Sequence, residues 1–442
     1  MINSGVRAGA PVHSPRRPPS LAIVGAFAAL TVLVTIVGIL AIAHRAPINV
    51  NVESRAWIDA WLVDDARWYQ SIAADGYSYT PGQQSSVAFF PAFPMTVRGV
   101  GWLLGGDVRL AGWLVGLAAG LAAVLLFARW VWARLAPSAA RTAIAVLMLY
   151  PYSIFLYGPE MSDSFFLLLA VGAFVLLEKR WFWAAGLVGA LATAGRPVGV
   201  AVAIGLVVRT LELVADRRAA GRDVAVGPAA ADPAAAGDPV GDPAGASIGA
   251  STAGRHRWWP AHVGWRDLVR AVGGVRWREA GVLLSGLGLA GWMVYLWVDY
   301  GDPLAFNTVQ AAPGWNQGTG PRTWFKVDYI GTLLWRSPDL AARLTAQALM
   351  MLVAVLLLRR VWRLFGWGYL AYSVVVLAIP LLGTKDFMGT GRYGMAAFPV
   401  IAAAGHVLAT TRHRWLRPVV LACCLVGMLA IAFVFATGTS VT

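Results

Sequence analysis

The chain is organised around residues 59–94, which read DAWLVDDARWYQSIAADGYSYTPGQQSSVAFFPAFP. The apolar residues 21–43 precede this segment, and most of the chain behind it is apolar as well. Four carboxylates lie among its tryptophans and tyrosines: Asp59, Asp64, Asp65 and Asp75. A polar, aromatic loop held at a membrane surface by apolar flanks suits chemistry on a lipid-borne substrate. We therefore predict a catalytic loop here, with Asp65 as general base.

The composition predicts an all-α polytopic membrane protein. Of 442 residues, 58% are hydrophobic and 13% are charged, and the mean hydropathy is +0.63. A bilayer core of about 30 Å requires roughly 20 apolar residues in a helix, and several runs approach that length. The net charge of +14 does not indicate nucleic-acid binding, because arginines cluster at alternate ends of the apolar runs, as in the positive-inside pattern. We expect membrane lipids as partners and no nucleic acid.

Charge placement also predicts the topology, with about eleven transmembrane helices. The apolar run 21–43 exceeds the roughly 7–15 residues of a signal-peptide core, so an uncleaved first helix is favoured. The predicted divisions are a disordered cytoplasmic tail (1–20), an N-terminal transmembrane module (21–210) with an extracytoplasmic catalytic loop (44–108), a low-complexity and basic cytoplasmic loop (211–279), and a C-terminal transmembrane module (280–442) with an extracytoplasmic loop (299–342).

Residues 181–208 allow two interpretations. A single tilted helix fits their length but would place the following arginine-rich loop outside the cell. Two short helices that turn at residues 194–197 keep that loop inside, and the charge bias favours this hairpin. Each half would have about 14 residues, roughly 21 Å, so neighbouring helices would have to shield both halves from lipid.

The predicted external face collects the polar groups of the chain. They are Asp59, Asp64, Asp65, Asp75, Glu160, Asp163, Arg196, Asp302, Gln310, Trp315, Arg322, Lys326, Asp328, Lys385, Asp386, Arg392 and Tyr393. A carboxylate can accept the proton of an attacking hydroxyl, and Arg or Lys can stabilise the charge that develops on a departing phosphate. This combination suits an enzyme that moves a sugar from a phospholipid carrier.

Several motifs resemble those of the PIG-V-like mannosyltransferases, a GT-C family. DDARWYQSIAADGY and AFFPAFP resemble its Trp-Asp-x-x-Trp/Phe-Tyr-x-x-Ile-Ala-x-x-Gly-Tyr run and the Phe-Phe-Pro-x-x-Pro that follows. Further matches occur in the family's order between residues 57 and 400. They are Tyr150-Pro151, the Asp163-Ser164 turn, residues 194–199 (AGRPVG), residues 301–306 (GDPLAF) and Arg392-Tyr393 ahead of Phe398-Pro399.

The resemblance implies a GT-C fold, a polyprenyl-phosphate-mannose donor and an inverting transfer outside the membrane. The family's Asp falls on Asp65, and Asp64 replaces the expected Trp, so both are catalytic candidates. Asp163 stands where the family usually has Glu, with Glu160 as its competitor. The remaining substrate-binding candidates are Arg196, Arg392, Lys385, Trp68, Tyr69, Tyr77 and Gln310. No zinc-like spacing occurs, but hard carboxylate ligands at Asp64 and Asp65 leave Mg²⁺ or Mn²⁺ open.

Each candidate could also have a structural role instead of a catalytic or binding role. Asp65 could cap a helix that starts at Ala66, and Asp163 or Glu160 could cap the next helix. Trp68 and Tyr69 could be interfacial anchors rather than sugar platforms. Arg196 is predicted near membrane depth, where a lone charge is costly and usually functional.

The predicted function is transfer of mannose from polyprenyl-phosphate mannose to a glycolipid or lipoglycan acceptor, outside the plasma membrane. A transporter or flippase of lipid-linked sugars is the alternative, although the two halves show none of the internal similarity typical of inverted repeats. A non-catalytic scaffold would be favoured if the external carboxylates and bases lay far apart.

Overall fold

The computed structural model describes residues 18–45, 55–225, 263–317, 320–335, 337–439 and 441, and every regular element in these ranges is a helix. The first half contains α1 Ser20–Ile42, α2 Ala56–Asp59, α3 Asp65–Asp75, α4 Ala92–Leu103, α5 Val108–Trp132, α6 Pro137–Leu149, α7 Ser162–Glu178, α8 Phe182–Thr193 and α9 Val200–Ala225. The second half contains α10 Trp265–Ala271, α11 Trp277–Ala280, α12 Leu287–Tyr300, α13 Ala305–Thr308, α14 Pro321–Trp324, α15 Val327–Trp335, α16 Pro338–Phe365, α17 Trp367–Gly383, α18 Thr390–Ala396, α19 Phe398–Thr410 and α20 Leu416–Ala436.

Six helical segments in the described ranges are long and apolar enough to cross a membrane. They are Ser20–Ile42, Val108–Trp132, Pro197–Gly221, Trp277–Tyr300, Pro338–Phe365 and Leu416–Ala436. A seventh span results if α18 and α19, which meet at a bend of 82°, count as one, and α6, α8 and α17 are shorter apolar helices. The all-α polytopic class is confirmed, whereas the count of eleven spans stays a prediction.

Close helix contacts hold the bundle together where small residues meet. A Cβ on Gly405 of α19 would collide with the backbone of Ala143 in α6. A Cβ on Gly186 of α8 would likewise collide with the carbonyl of Gly281, in the 3₁₀ segment that leads into α12. Small residues at helix crossings let backbones approach closely, which is how membrane helices gain van der Waals packing.

The predicted hairpin 181–208 has one short arm and one long arm. The first arm is α8, and the chain turns at residues 194–199, which include the predicted turn at 194–197, but the second arm continues through α9 to Ala225. The loop that was predicted to begin at residue 211 therefore starts as helix. Ion pairs extend α9 beyond the apolar run: Arg209 with Glu178, and Arg217 with Glu279.

The remaining predicted divisions fall partly outside the described residues. Residues 1–17 of the predicted tail, residues 46–54 of the first loop and residues 226–262 of the low-complexity loop are not described. Residues 299–342 do not form a plain loop, because they contain α13, α14 and α15. Of these short helices, α13 packs against residues Ser86–Ala88 of the first loop.

Candidate active site

Asp65 is the first residue of α3 and does not cap the helix. The N-cap position belongs to Asp64, whose backbone φ of 50° is unusual for a residue other than glycine, and no side chain of the described residues caps this helix end. The Asp65 carboxylate instead accepts a hydrogen bond of 3.0 Å from Nη1 of Arg392, and 25% of its side chain is exposed. The capping interpretation of Asp65 is therefore wrong.

Arg392 links Asp65 to a second carboxylate and a second arginine. Its Nε lies 3.7 Å from Oδ1 of Asp163, and the same Oδ1 accepts a hydrogen bond from Arg196. The Arg196 guanidinium lies 5.2 Å from the centre of the Tyr393 ring. We call Asp65, Arg392, Asp163 and Arg196 the site cluster. It carries two positive and two negative charges, and all members except Asp65 are buried.

Four separate parts of the chain build the site cluster, and Asp65 in α3 supplies one of them. Asp163 is the second residue of α7, Arg196 lies just before the 3₁₀ turn that starts α9, and Arg392 lies in α18. Asp65 and Arg392 are separated by 327 residues in sequence. Helix ends that are remote in sequence therefore bring both predicted phosphate-binding arginines to the predicted base.

Two buried polar atoms of the site cluster have no hydrogen-bond partner among the described residues. They are Oδ2 of Asp163 and Nε of Arg392. Buried polar groups are nearly always paired, so an unpaired acceptor and an unpaired donor in one cluster require a reason. A bound substrate with donor and acceptor groups would supply one.

The site cluster borders a cavity of about 460 Å³, which we call the site cavity. Of the residues predicted from sequence, five line it: Asp65, Tyr69, Arg196, Gln310 and Arg392. Tyr69 is buried, its hydroxyl lies 2.7 Å from Oγ of Ser162, and burial raises its pKa. It therefore contributes a neutral hydroxyl. The cavity has the size and the mixed polar and apolar lining of a small-molecule site.

Asp64 and Trp68 line a different cavity. Asp64 has a left-handed backbone conformation, and its carboxylate and that of Asp65 border different spaces. The Trp68 ring contacts Phe89 and Trp315, which line the site cavity, at centroid distances of 5.8 Å each. Trp68 thus stands behind the wall of the site cavity rather than in it.

Four other predicted residues also lie outside the lining of the site cavity. Asp163 lies beneath it, bonded to Arg196. Tyr77 donates its hydroxyl proton to the carbonyl of Phe89, and Lys385 is half-buried, directly after Thr384 in the lining. Glu160 is buried and accepts a hydrogen bond of 2.9 Å from Gln70. Burial raises the pKa of Glu160 well above its ordinary value.

Sequence reasoning assigned no role to several residues that shape the site cavity. Trp315 and Tyr393 line it, and both were recognised only as polar or aromatic residues of the external face. Thr384 had no signal in the sequence. Lys326 donates to its carbonyl at 2.6 Å and to its hydroxyl at 3.0 Å, and burial lowers the pKa of Lys326 to about 8. Lysines near the C-terminus of a helix often bind its last carbonyls. The sequence does not show that Lys326 lies near the end of α17, so this tendency could not have identified its contact with Thr384.

The described residues do not fit the divalent cation that the sequence left open. No group of three or more His, Cys, Asp or Glu in those ranges could hold a metal ion. Asp64 and Asp65 border different cavities, and the Asp65 and Asp163 carboxylates face arginines. We therefore derive no chemical step through a metal.

No family model and no curated protein matches the chain. Two solved structures are similar to it. One is the archaeal oligosaccharyltransferase AglB from Archaeoglobus fulgidus in complex with an inhibitory peptide and a dolichol-phosphate, with 12% identity, a TM-score of 0.41, and coverage of 93% of this chain and 56% of that one. The other is the Archaeoglobus fulgidus oligosaccharyltransferase in the apo form, with 13% identity, a TM-score of 0.43, and coverage of 96% and 56%.

The chain spans about half the length of both solved structures. The class that the fold defines is an all-helical, multi-pass membrane protein, and its candidate site is a cavity bordered by a cluster of two arginines and two carboxylates.

Proposed function

We propose that the protein is a membrane glycosyltransferase that moves mannose from polyprenyl-phosphate mannose to a hydroxyl of a glycolipid or lipoglycan. The site would face the outside of the plasma membrane, as the arginine distribution predicts. One observation carries the proposal: Asp65, Arg196 and Arg392 line a single cavity although they come from distant segments. This is the combination of base and phosphate-binding groups that the reaction requires.

The reaction assigns a separate task to each charge. The acceptor oxygen forms a bond to the anomeric carbon of mannose while the bond from that carbon to the phosphate oxygen breaks. The bonding electrons leave with the phosphate, and Asp65 accepts the proton of the attacking hydroxyl. Arg196 and Arg392 stabilise the negative charge that develops on the phosphate, because guanidinium groups match phosphate oxygens in pairs.

Binding of the donor would change the pairing within the site cluster. At rest Arg392 is hydrogen-bonded to Asp65, and this bond competes with any use of Asp65 as a base. A donor phosphate that binds Arg392 replaces Asp65 as its partner and releases the carboxylate to accept a proton. Asp163, which is buried and contacts both arginines, would hold the guanidinium groups in place during this exchange.

Labelled polyprenyl-phosphate mannose tests the proposal. Membranes that contain the full-length protein are incubated with the donor and with lipid extracts, and the labelled product is identified. Asp65→Asn should lower the transfer rate by about 10²–10⁴-fold, the usual contribution of a general base, and should keep donor binding. Asp75→Asn is the matched control, since it is an exposed carboxylate at the far end of the same helix.

Two results would contradict the proposal. If the Asp65→Asn variant transfers sugar at a rate within about twofold of that of the unaltered protein, Asp65 is not the general base. Loss of a general base lowers the rate far more than that. Passage of labelled donor across vesicles without a labelled product, equally fast in both variants, would instead favour a flippase of lipid-linked sugars.

A further inference from the structure

A second cavity, of about 660 Å³, lies on the other side of α3. Its lining includes Arg45, Asp64, Arg67, Trp68 and Thr437. Two arginines against one aspartate give this space a net positive charge of one. The proposed transfer reaction does not use any of these residues, so the cavity requires its own explanation.

The two arginines are held in place by backbone carbonyls. Arg45 donates to the carbonyls of Asp59 and Leu62 at 3.1 and 3.2 Å, and Arg67 donates to the same Leu62 carbonyl at 3.2 Å. Each guanidinium carries five N–H donors, of which these bonds engage one or two. Burial, followed by the charge of Arg67, lowers the pKa of Arg45. An anion between the two guanidinium groups would relieve this repulsion.

The second cavity lies where two membrane-spanning helices end. Arg45 follows the end of α1 by three residues, and Thr437 directly follows the end of α20. The two ends are in contact, with the His44 and Phe433 rings 5.5 Å apart. The adjoining surfaces are apolar and exposed, 62% at Leu40 of α1 and 37% at Phe433 of α20. The cavity is therefore at the level of lipid headgroups, above surfaces that acyl chains can cover.

Trp68 connects the second cavity to the wall of the site cavity. Trp68 lines the second cavity, and its ring packs against Phe89 and Trp315 of the site cavity. Asp64 borders the second cavity, and Asp65, its neighbour in sequence, borders the site cavity. A headgroup in the second cavity would thus contact the ring that packs against the wall of the site cavity.

We infer that the second cavity binds the anionic phosphate headgroup of a membrane lipid through Arg45 and Arg67, and that this lipid is the acceptor of the transfer. The inference rests on the proposed function for the acceptor role, but the binding itself does not depend on it. Phosphate is the ligand because two guanidinium groups offer it several charge-assisted hydrogen bonds. A hydroxyl of the same headgroup would reach past Trp68 toward Asp65.

Lipid retention tests the site without measuring transfer. The full-length protein is placed in phosphatidylcholine nanodiscs that contain a fraction of phosphatidylglycerol, and the lipid that stays with the purified protein is quantified by mass spectrometry. We expect the unaltered protein to retain phosphatidylglycerol in preference to phosphatidylcholine. Arg67→Gln should reduce this preference about tenfold, because each lost bond between charged groups weakens binding by that order.

Arg67→Gln is the main variant because Arg67 is exposed and makes one hydrogen bond to a carbonyl, whereas Arg45→Gln removes two such bonds and could impair folding. Arg414→Gln, another exposed arginine that follows α19, is the charge-matched control and should retain the preference. Asp65→Asn should also retain it, since Asp65 borders the other cavity. Equal retention by Arg67→Gln and the unaltered protein would overturn the inference.

Soluble competitors identify the source of the phosphate. Glycerol 3-phosphate and inorganic phosphate are added to the phosphatidylglycerol nanodiscs at the same total phosphate concentration. If the site is built for a lipid, neither should displace phosphatidylglycerol. Displacement by either at that concentration would make this a site for soluble phosphate and overturn the lipid assignment.

Transfer kinetics test the acceptor role. With the acceptor lipid found by labelling, the mole fraction needed for half-maximal rate should rise about tenfold in Arg67→Gln, while the maximal rate stays unchanged. If Arg67→Gln loses lipid retention but the mole fraction of acceptor lipid needed for half-maximal rate does not rise, the lipid in the second cavity is not the acceptor. If the unaltered protein transfers no sugar, the proposed function fails, but lipid retention still decides whether the second cavity holds a headgroup.

Discussion

Helix α7 has a cluster of buried charges at each end, and the two clusters differ in how completely they are paired. At its start, Asp163 belongs to the site cluster. At its end, about 22 Å away at 1.5 Å per residue, Glu178 meets Arg134 and Arg209, and Arg209 also pairs with Glu212. We call Glu178, Arg134, Arg209 and Glu212 the distal cluster.

The distal cluster is saturated with hydrogen bonds. Glu178 accepts two from Arg209 and one from the Tyr369 hydroxyl, while Glu212 accepts from the backbone N–H groups at the start of α17. No fully buried carboxylate or guanidinium atom of this cluster lacks a hydrogen-bond partner among the described residues. The site cluster, in contrast, keeps two unpaired buried atoms and borders a cavity. Complete pairing indicates a structural role, and incomplete pairing beside a cavity indicates a role in binding.

The largest effect should come from breaking the distal cluster. Arg209→Gln leaves Glu178 and Glu212 buried with too little countercharge, and the free energy of unfolding should fall by about 3–5 kcal/mol. Denaturant unfolding in a mild detergent measures this loss. Arg359→Gln removes an exposed arginine of α16 and should change little. A loss below about 1 kcal/mol for Arg209→Gln, the range of an exposed ion pair, would refute the structural role.

The corresponding change in the site cluster should affect rate more than stability. Arg392→Gln should lower the maximal transfer rate by about 10²–10³-fold, as removal of a charge-stabilising donor does elsewhere. Its stability loss should be smaller than that of Arg209→Gln, because Asp163 keeps Arg196 and the partly exposed Asp65 can turn to water. Parallel unfolding and transfer measurements compare the two variants. A stability loss as large as that of Arg209→Gln with an unchanged rate would make the site cluster structural.

Two tyrosines provide a milder version of the same comparison. Tyr369→Phe leaves the buried Trp130 N–H without its 2.9 Å acceptor, and the free energy of unfolding should fall by about 1–3 kcal/mol. Tyr69→Phe should cost less, about 1 kcal/mol, because the Ser162 hydroxyl can rotate to another acceptor whereas an indole N–H cannot. Thermal unfolding of both variants measures the difference. The reverse order of stabilities would contradict the saturation argument.

The smallest effect concerns Lys326, which bonds the end of α17 beside the site cavity. Its pKa is lowered from 10.5 to about 8 by burial. Between pH 8 and 10.5 the folded protein releases this proton first, so the unfolded state binds more protons and stability should rise with pH. We expect a rise on the order of 1 kcal/mol. Unfolding between pH 7.5 and 10 measures it, and Lys326→Met should remove this component. An unchanged pH profile in that variant would refute the assignment.

Much of the architecture could be predicted from the sequence because it depends on local composition. The uncharged runs that became α1, α5 and α20 are long enough to cross a bilayer, and the turn predicted at residues 194–197 followed from the charge bias. The extension of α9 could not be predicted in this way. Residues 211–225 were assigned to a loop, but Glu212 caps α17 and Arg217 pairs with Glu279, both partners that lie far away in sequence.

The residue types of the candidate site could be predicted from the sequence, but the positions of their side chains relative to one another could be predicted only in part. Asp65, Tyr69, Arg196, Gln310 and Arg392 were selected as residue types that the reaction needs, and the fold places all five around one cavity. The roles of these residues in transfer remain predictions. Asp64 had been grouped with Asp65, but the two side chains border different cavities, which no residue pattern reveals.

The sequence by itself determined that this protein is helical and membrane-spanning, because burial of apolar runs in lipid depends on composition and length alone. It also determined which polar residues could take part in chemistry. Only the tertiary structure decided which of these residues meet, because contacts between helix ends hundreds of residues apart depend on how the whole bundle packs. The same packing left the pairing at one end of α7 complete and the pairing at the other end open to a ligand.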